Sequence, residues 1–168
     1  MDHSRNTLGA LRKSLVDGVA PAVDRSDPLA SEQLPLVVDY LEFLGTRIYR
    51  IHERSRFELG EYLRMAEGLL ARLPQPATAT LAEHIEADRT ARESASTGTT
   101  ELIELASALA TTVSTVVQDE SLSDDVRRAL GRWVVESSRP LLAFQRSWYA
   151  PFGFEADHGR LRSIDELH

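Results

Sequence analysis

The chain has 168 residues, 42% of them hydrophobic and 27% charged, which is typical of one globular domain with room for a core. It has no cysteine, which excludes disulfides, thiol catalysis and cysteine-ligated metals. The formal charge of −7 argues against nucleic acid as a partner, because phosphate contacts require a basic surface. No run approaches the ~18 apolar residues of a membrane span, and the N-terminal residues contain no stretch of signal-peptide length. We therefore expect a cytoplasmic protein that makes no membrane contact.

The first predicted helix runs from about residue 4 to residue 16. Leu8, Leu11 and Leu15 lie on one face at helical spacing. Gly18 and Pro21 are expected to end or bend this helix, and residues 20–26 to form a connection.

The strongest pattern lies in the second segment, which begins at the helix-start signal Asp27-Pro28. Ser31 is a rival cap, since Pro35 fits poorly inside a helix. Leu36, Tyr40 and Phe43 contribute to the apolar side of this segment, which is therefore wider than a single row of side chains. Steps of four and three, typical of a heptad seam, connect two runs of apolar residues: Val37, Leu41, Leu44, Ile48 and Ile51, and then Tyr62, Ala66, Leu69 and Leu73.

An unbroken helix over residues 34–73 would be about 60 Å long at ~1.5 Å per residue. This length exceeds that of a small domain. The helix is therefore expected either to kink near Gly45 or Gly60, or to pack in part against another chain. The second alternative predicts a homodimer through the long helix.

Three further helices are predicted over about residues 80–93, 100–118 and 121–148, the last with a kink at Pro140. A final short turn is expected near Ser163. Together the elements predict an all-α, antiparallel helical bundle of four to five helices built around one long helix (about 31–73). Residues 1–168 are expected to form a single domain, with residues 150–168 as an irregular C-terminal tail.

The middle of the long helix is unusually polar, with Ser55 and Glu58 where the seam calls for apolar residues. One interpretation is a polar site inside the bundle, which would bind an anionic small molecule through arginine. The other, which the pattern favours, is a helix that leaves the core and is solvated all round. The candidate ligand-binding residues are Arg50, His52, Arg54, Glu58, Tyr62 and Trp133.

Metal and catalytic motifs offer little support for an enzyme. The Glu-x-x-His motif of di-iron bundles is missing from the predicted helices. The carboxylate and histidine pairs His84/Asp88, Glu58/Glu61 and Glu101/Glu104 are expected to be solvated, so neither a metal nor a cofactor is predicted. No Gly-x-Ser-x-Gly elbow or phosphate loop occurs, and no catalytic residue can be assigned.

Four aromatic residues cluster near the C-terminus: Trp148, Tyr149, Phe152 and Phe154. They predict either a binding patch or, as the pattern favours, a cap on one end of the bundle.

The leading functional hypothesis is a non-enzymatic bundle acting through protein–protein interaction, with itself or with an unidentified protein. The alternatives are the anionic-ligand site and a carboxylate-rich metal bundle. The basic residues are arginines except Lys13, a bias typical of GC-rich bacterial genomes that carries no functional information.

Overall fold

The computed structural model describes residues 3–73 and 79–153, together with residues 161 and 164. These residues form seven α-helices joined by turns and contain no β-strand, which confirms the all-α prediction. They divide into two compact units: unit 1 comprises residues 1–51 and 151–154, and unit 2 comprises residues 52–150 and 155–168. The single domain expected over residues 1–168 stays a prediction.

Unit 1 contains α1 (Ser4–Ser14) and α2 (Pro28–Arg47). One π-helical turn (Leu15–Val19) and one 3-10 turn (Ala20–Ala22) extend α1, so helical structure continues into the segment predicted as a connection. The Asp27 carboxylate caps α2, accepting hydrogen bonds from the backbone N–H groups of Leu29 and Ala30 at 2.9 and 3.1 Å. Asp27 is therefore the cap, and the rival Ser31 lies inside the helix.

Helices α1 and α2 pack against each other in antiparallel orientation. Near the start of α1, Arg5 Nε donates to the Gly45 carbonyl at 3.0 Å, and further along Arg12 forms a 2.9 Å ion pair with Glu42. The α2 side chains that this packing half-buries include Leu34, Val38 and Leu41. None of residues 3–51 and 151–153 is fully buried.

The stretch predicted as one long helix is helical from Pro28 to Leu70, but a 3-10 turn (Ile48–Arg50) divides it into α2 and α3 (Ile51–Leu70). This interruption follows Gly45, one of the two sites at which a kink was expected. Within α2 the seam is displaced from its predicted register. Val37 and Leu44 are 46% and 42% exposed, because α1 covers the neighbouring face of α2 instead.

Unit 2 is a bundle arranged around α3. It contains α4 (Ala79–Glu93), α5 (Thr99–Val117), α6 (Asp124–Ser137) and α7 (Arg139–Tyr149). Side-chain contacts show that α4, α6 and α7 run antiparallel to α3, while α5 runs parallel to it. Pro140 separates α6 from α7 rather than kinking one helix, since a proline is accommodated in a first turn. The core includes Leu59, Leu63, Ala66, Leu69, Leu81, Ile85, Leu102, Leu109, Val113 and Leu130.

By length and composition α5 could cross a membrane, the only such helix among the residues searched. Its apolar side lies in the core of unit 2, where Leu102, Leu109 and Val113 are at most 5% exposed. Its opposite side exposes polar residues such as Glu104 and Thr111. The most apolar side of α5 thus faces the other helices of unit 2.

A close side-chain contact joins α6 to the α3 backbone in unit 2. The Trp133 indole lies directly against Gly68, and its Nε1 donates to the Met65 carbonyl at 3.0 Å. A Cβ atom at position 68 would overlap the indole ring. Glycine at this position therefore allows the largest side chain of α6 to reach the α3 backbone.

Replacing Gly68 with alanine is expected to destabilise the protein by about 1–3 kcal/mol, because the indole must move out of its packed position. The matched control is Gly131→Ala in α6, where a new Cβ meets nothing within 4 Å. That change should stabilise the helix by about 0.5–1 kcal/mol. Urea denaturation of both variants gives the comparison, and equal effects of the two substitutions would contradict the close approach.

Candidate functional site

The polar segment in the middle of the predicted long helix lies on α3 and is largely covered. Arg54 Nε donates to Glu58 Oε1 at 2.9 Å, and the two side chains are only 22% and 19% exposed. Ser55 is buried, at 2% exposure. The expectation that the helix is solvated all round here is therefore wrong. The cause is α7, whose Phe144 and Trp148 pack over this turn.

Aromatic rings from α7 hold the Arg54 guanidinium. Its carbon lies 4.9 Å from the Trp148 ring centre and 5.4 Å from that of Tyr149, and Nη1 also donates to the Tyr149 hydroxyl at 3.3 Å. Stacking on aromatic faces and pairing with one carboxylate account for the charge of this residue. Arg54 thus ties α7 to α3.

His52 lies on a different side of α3 and makes two side-chain contacts. Its Nε2 accepts from Arg56 Nε at 3.0 Å, which requires that nitrogen to be unprotonated. The proton is then on Nδ1, which donates to the Thr99 hydroxyl at 3.0 Å. Arg56 also donates to the carbonyls of Arg92 and Ser94 at the C-terminal end of α4. His52 and Arg56 therefore join α3 to α4 and to the start of α5.

The six predicted ligand-binding residues do not share one place. Arg54, Glu58 and Tyr62 lie on successive turns of one face of α3. Trp133 contacts Met65, eleven residues beyond Arg54 and thus ~16 Å further along the helix, and the Arg72 guanidinium lies 4.1 Å above its ring. His52 faces α5, and Arg50 lies in the 3-10 turn of unit 1.

The acidic and histidine pairs considered for a metal are dispersed. Within the described part of the chain no group of three or more His, Asp or Glu side chains could hold a metal ion. Glu61 is buried at 3% exposure and pairs with Arg64, while Asp88 is buried next to the exposed His84. Sequence reasoning missed the burial of Glu61 and Asp88, because charged residues are usually solvated.

The aromatic residues at the end of α7 do not form one cluster, and they differ in how far they are buried. Trp148 is 3% exposed and lies 5.8 Å from the Phe144 ring, so it belongs to the core of unit 2. Phe152 contacts Tyr40 and Phe43 at ring-centre distances of 4.8 and 4.4 Å within unit 1. Phe154 and the turn predicted near Ser163 lie outside the described residues. The described aromatics therefore serve mainly as packing.

An exposed apolar face on α2 is the most prominent surface feature. We call it the α2 face and define it by five side chains that are 42–66% exposed: Leu29, Leu36, Val37, Tyr40 and Leu44. At 100° per residue these positions fall within an arc of about 100° on one side of the helix. Of the fourteen large hydrophobic side chains exposed among the described residues, ten belong to unit 1.

An apolar cleft of about 510 Å³ also lies in unit 1, between the turns after α1 and the N-terminal half of α2. Val16, Ala20 and Val23 line one side, and Leu34 and Val38 the other. Sequence reasoning missed the first three, although their spacing of four and three continued the pattern of α1. Apolar surface on α2 is therefore left uncovered in two places.

Comparison of the chain with protein-family models, with curated proteins and with solved structures found no match.

Replacing Arg54 with lysine should destabilise the protein by about 1–2 kcal/mol, because the ammonium group loses the planar stacking on Trp148 and Tyr149. The matched control is Arg128→Lys, whose ion pair with Asp125 is exposed and should matter by less than about 0.5 kcal/mol. Chemical denaturation measures both. A loss no larger than that of the control would show that the stacking is unimportant.

The burial of Asp88 leads us to expect that the stability of the protein depends on pH. Burial raises the pKa of Asp88 above its ordinary value of 3.8, and the charge of His84 offsets only part of this. Ionised Asp88 therefore costs free energy in the folded state, and the cost disappears as the pH falls through the raised pKa. Asp88→Asn should stabilise the protein at neutral pH and lose this advantage towards pH 3.8.

Denaturation of wild type and Asp88→Asn across this pH range tests the effect, with Glu104→Gln on the exposed side of α5 as the control. An advantage for Asp88→Asn that persisted unchanged at the acid end would rule out ionisation as its cause.

Proposed function

We propose that the protein acts through protein–protein interaction as a homodimer, in which the α2 faces of two copies pack against each other. The observation that carries this proposal is the α2 face itself: five exposed apolar side chains on one side of a helix, in a unit whose described residues include none that is fully buried. Exposed apolar side chains concentrated on one side of a helix are typical of interaction sites.

Unit 1 alone is a poor folding unit, because its two main helices half-bury side chains but fully bury none among residues 3–51 and 151–153. A second copy would supply two more helices and complete a four-helix arrangement with an interior. This is why a second copy is favoured over a short peptide or a small ligand as the occupant of the α2 face.

The order of residues along the face suits a two-fold axis. In an antiparallel pairing of two α2 helices centred on Tyr40, Leu36 of one copy lies opposite Leu44 of the other. A two-fold interface brings the same patch of both copies together, so one apolar stripe is sufficient to build it. None of the five side chains that define the face is charged, so their own burial desolvates no charge.

The anionic-ligand alternative has less support. Arg54, its best-placed cation, already pairs with Glu58 and stacks on two aromatic rings, so an anion would have to displace these contacts. We place the proposed homodimer in the cytoplasm, and the polar outer side of α5 is consistent with a soluble protein.

The double substitution Leu36→Glu/Leu44→Glu is expected to convert the dimer into a monomer, since four carboxylates would then meet at the interface. Light scattering of the purified chain at micromolar concentration should give about twice 18.7 kDa for the wild type and 18.7 kDa for the variant.

The matched control is Ile103→Glu/Val135→Glu, which introduces the same chemistry at exposed apolar residues of unit 2 and should stay dimeric. A wild type that is monomeric, or an α2 double variant that still dimerises, would refute the proposal.

A further inference from the structure

We propose that unit 2 contains a binding site for a small uncharged molecule that carries an amide-like hydrogen-bonding edge on an apolar ring. The site is a cleft of about 430 Å³ between α3, α5, α6 and α7. Clefts of roughly 300–1,000 Å³ between the helices of a bundle are typical ligand sites. This inference is independent of the homodimer proposal, since the cleft and the α2 face lie in different units.

The lining of the cleft determines the charge of its ligand. Met65, Val113, Val117, Val134 and Leu141 form apolar walls, and none of the twelve described residues that line the cleft is charged. A carboxylate or phosphate in this cleft would lose hydration without gaining a countercharge. The cleft therefore favours a neutral ligand, in contrast to the anionic ligand expected from the arginines of α3.

Two polar groups in the cleft are available to a ligand. Neither the Tyr62 hydroxyl nor the Gln145 amide makes a hydrogen bond to any residue that the structure describes, although both side chains are half-buried. Their polar neighbours are engaged: Gln118 Nε2 donates to Ser114 Oγ at 3.2 Å, and Ser138 Oγ to the Val135 carbonyl at 2.9 Å. Half-buried polar groups without partners are suited to binding a ligand.

The chemistry of these two groups defines the ligand further. The Gln145 amide presents an acceptor oxygen and donor N–H groups side by side, and its complement is another amide or the equivalent edge of a nucleobase. Burial, and then the negative charge of Glu58, raises the pKa of Tyr62, so its hydroxyl keeps its proton and can donate. The apolar walls would contact the faces of a ring.

The test uses the full chain and three probes of similar size: nicotinamide, nicotinate and adenine. Isothermal titration should show nicotinamide or adenine binding with a dissociation constant of about 1 mM, as expected for fragments of this size. Nicotinate, which differs from nicotinamide by a carboxylate in place of the amide, should bind at least about tenfold more weakly. Binding of nicotinamide alone would indicate a carboxamide ligand, and binding of adenine alone a nucleobase.

Two substitutions locate the site. Gln145→Glu keeps the size of the side chain but adds a charge, and Ser114→Trp fills the cleft from its exposed rim on α5; each should weaken binding about tenfold or more. The control is Ser107→Trp, on the same helix but outside the cleft, which should bind the probes like the wild type. Circular dichroism confirms that all three variants are folded.

Failure of both neutral probes to bind at about 10 mM would overturn the proposal. So would binding that Gln145→Glu and Ser114→Trp leave unchanged. The monomeric Leu36→Glu/Leu44→Glu variant should bind the probes normally, so failure of the homodimer proposal would not be mistaken for failure of this one.

Discussion

Burial of the apolar side of α3 is the interaction on which the packing of unit 2 depends. Leu59, Ala66 and Leu69 have no exposed surface, and α3 is contacted by each of the four other helices of this unit. Because interiors are close-packed, each neighbour approaches only as far as the α3 side chains permit. Gly68 leaves the space that the Trp133 indole occupies against α3.

The polar residues of α3 act within the same packing. Arg54 joins α3 to α7 through stacking, and Arg56 joins it to the end of α4 through backbone carbonyls. A guanidinium group is suited to both tasks, since it has several donors and two flat faces. The charged side chains of α3 that the sequence suggested for ligand binding thus serve largely to join helices. The uncharged cleft of unit 2 is the better candidate for a ligand site.

The helices and their ends were largely predictable. Asp27 before Pro28 is a local capping signal, and this cap is present. The inward faces of α5 and α6 followed from periodicity alone, because each has one apolar side. In α2 apolar residues occupy two adjacent faces, and the sequence could not say which of them α1 would cover.

The candidate sites were less predictable, because they depend on contacts between residues far apart in the chain. Arg54, Glu58 and Tyr62 share a face, as residues four apart on one helix must. Trp133 could be placed only once α6 was known to meet Gly68, and the covering of Arg54 only once α7 was known to pack over it. The cleft that contains Tyr62 and Gln145 is formed by four helices together, so no local sequence pattern predicts it.

No residue of unit 1 that the structure describes is fully buried, and this also has a consequence for local opening. Backbone amides are protected from hydrogen exchange to the extent that opening exposes buried apolar surface, and α1 and α2 have little to expose. In a single chain their amide protons should therefore exchange well before those of α3 and α5. If two copies cover the α2 face, the difference in exchange rate between the two units shrinks as the protein concentration rises. The exchange rates of unit 1 then report on dimer formation.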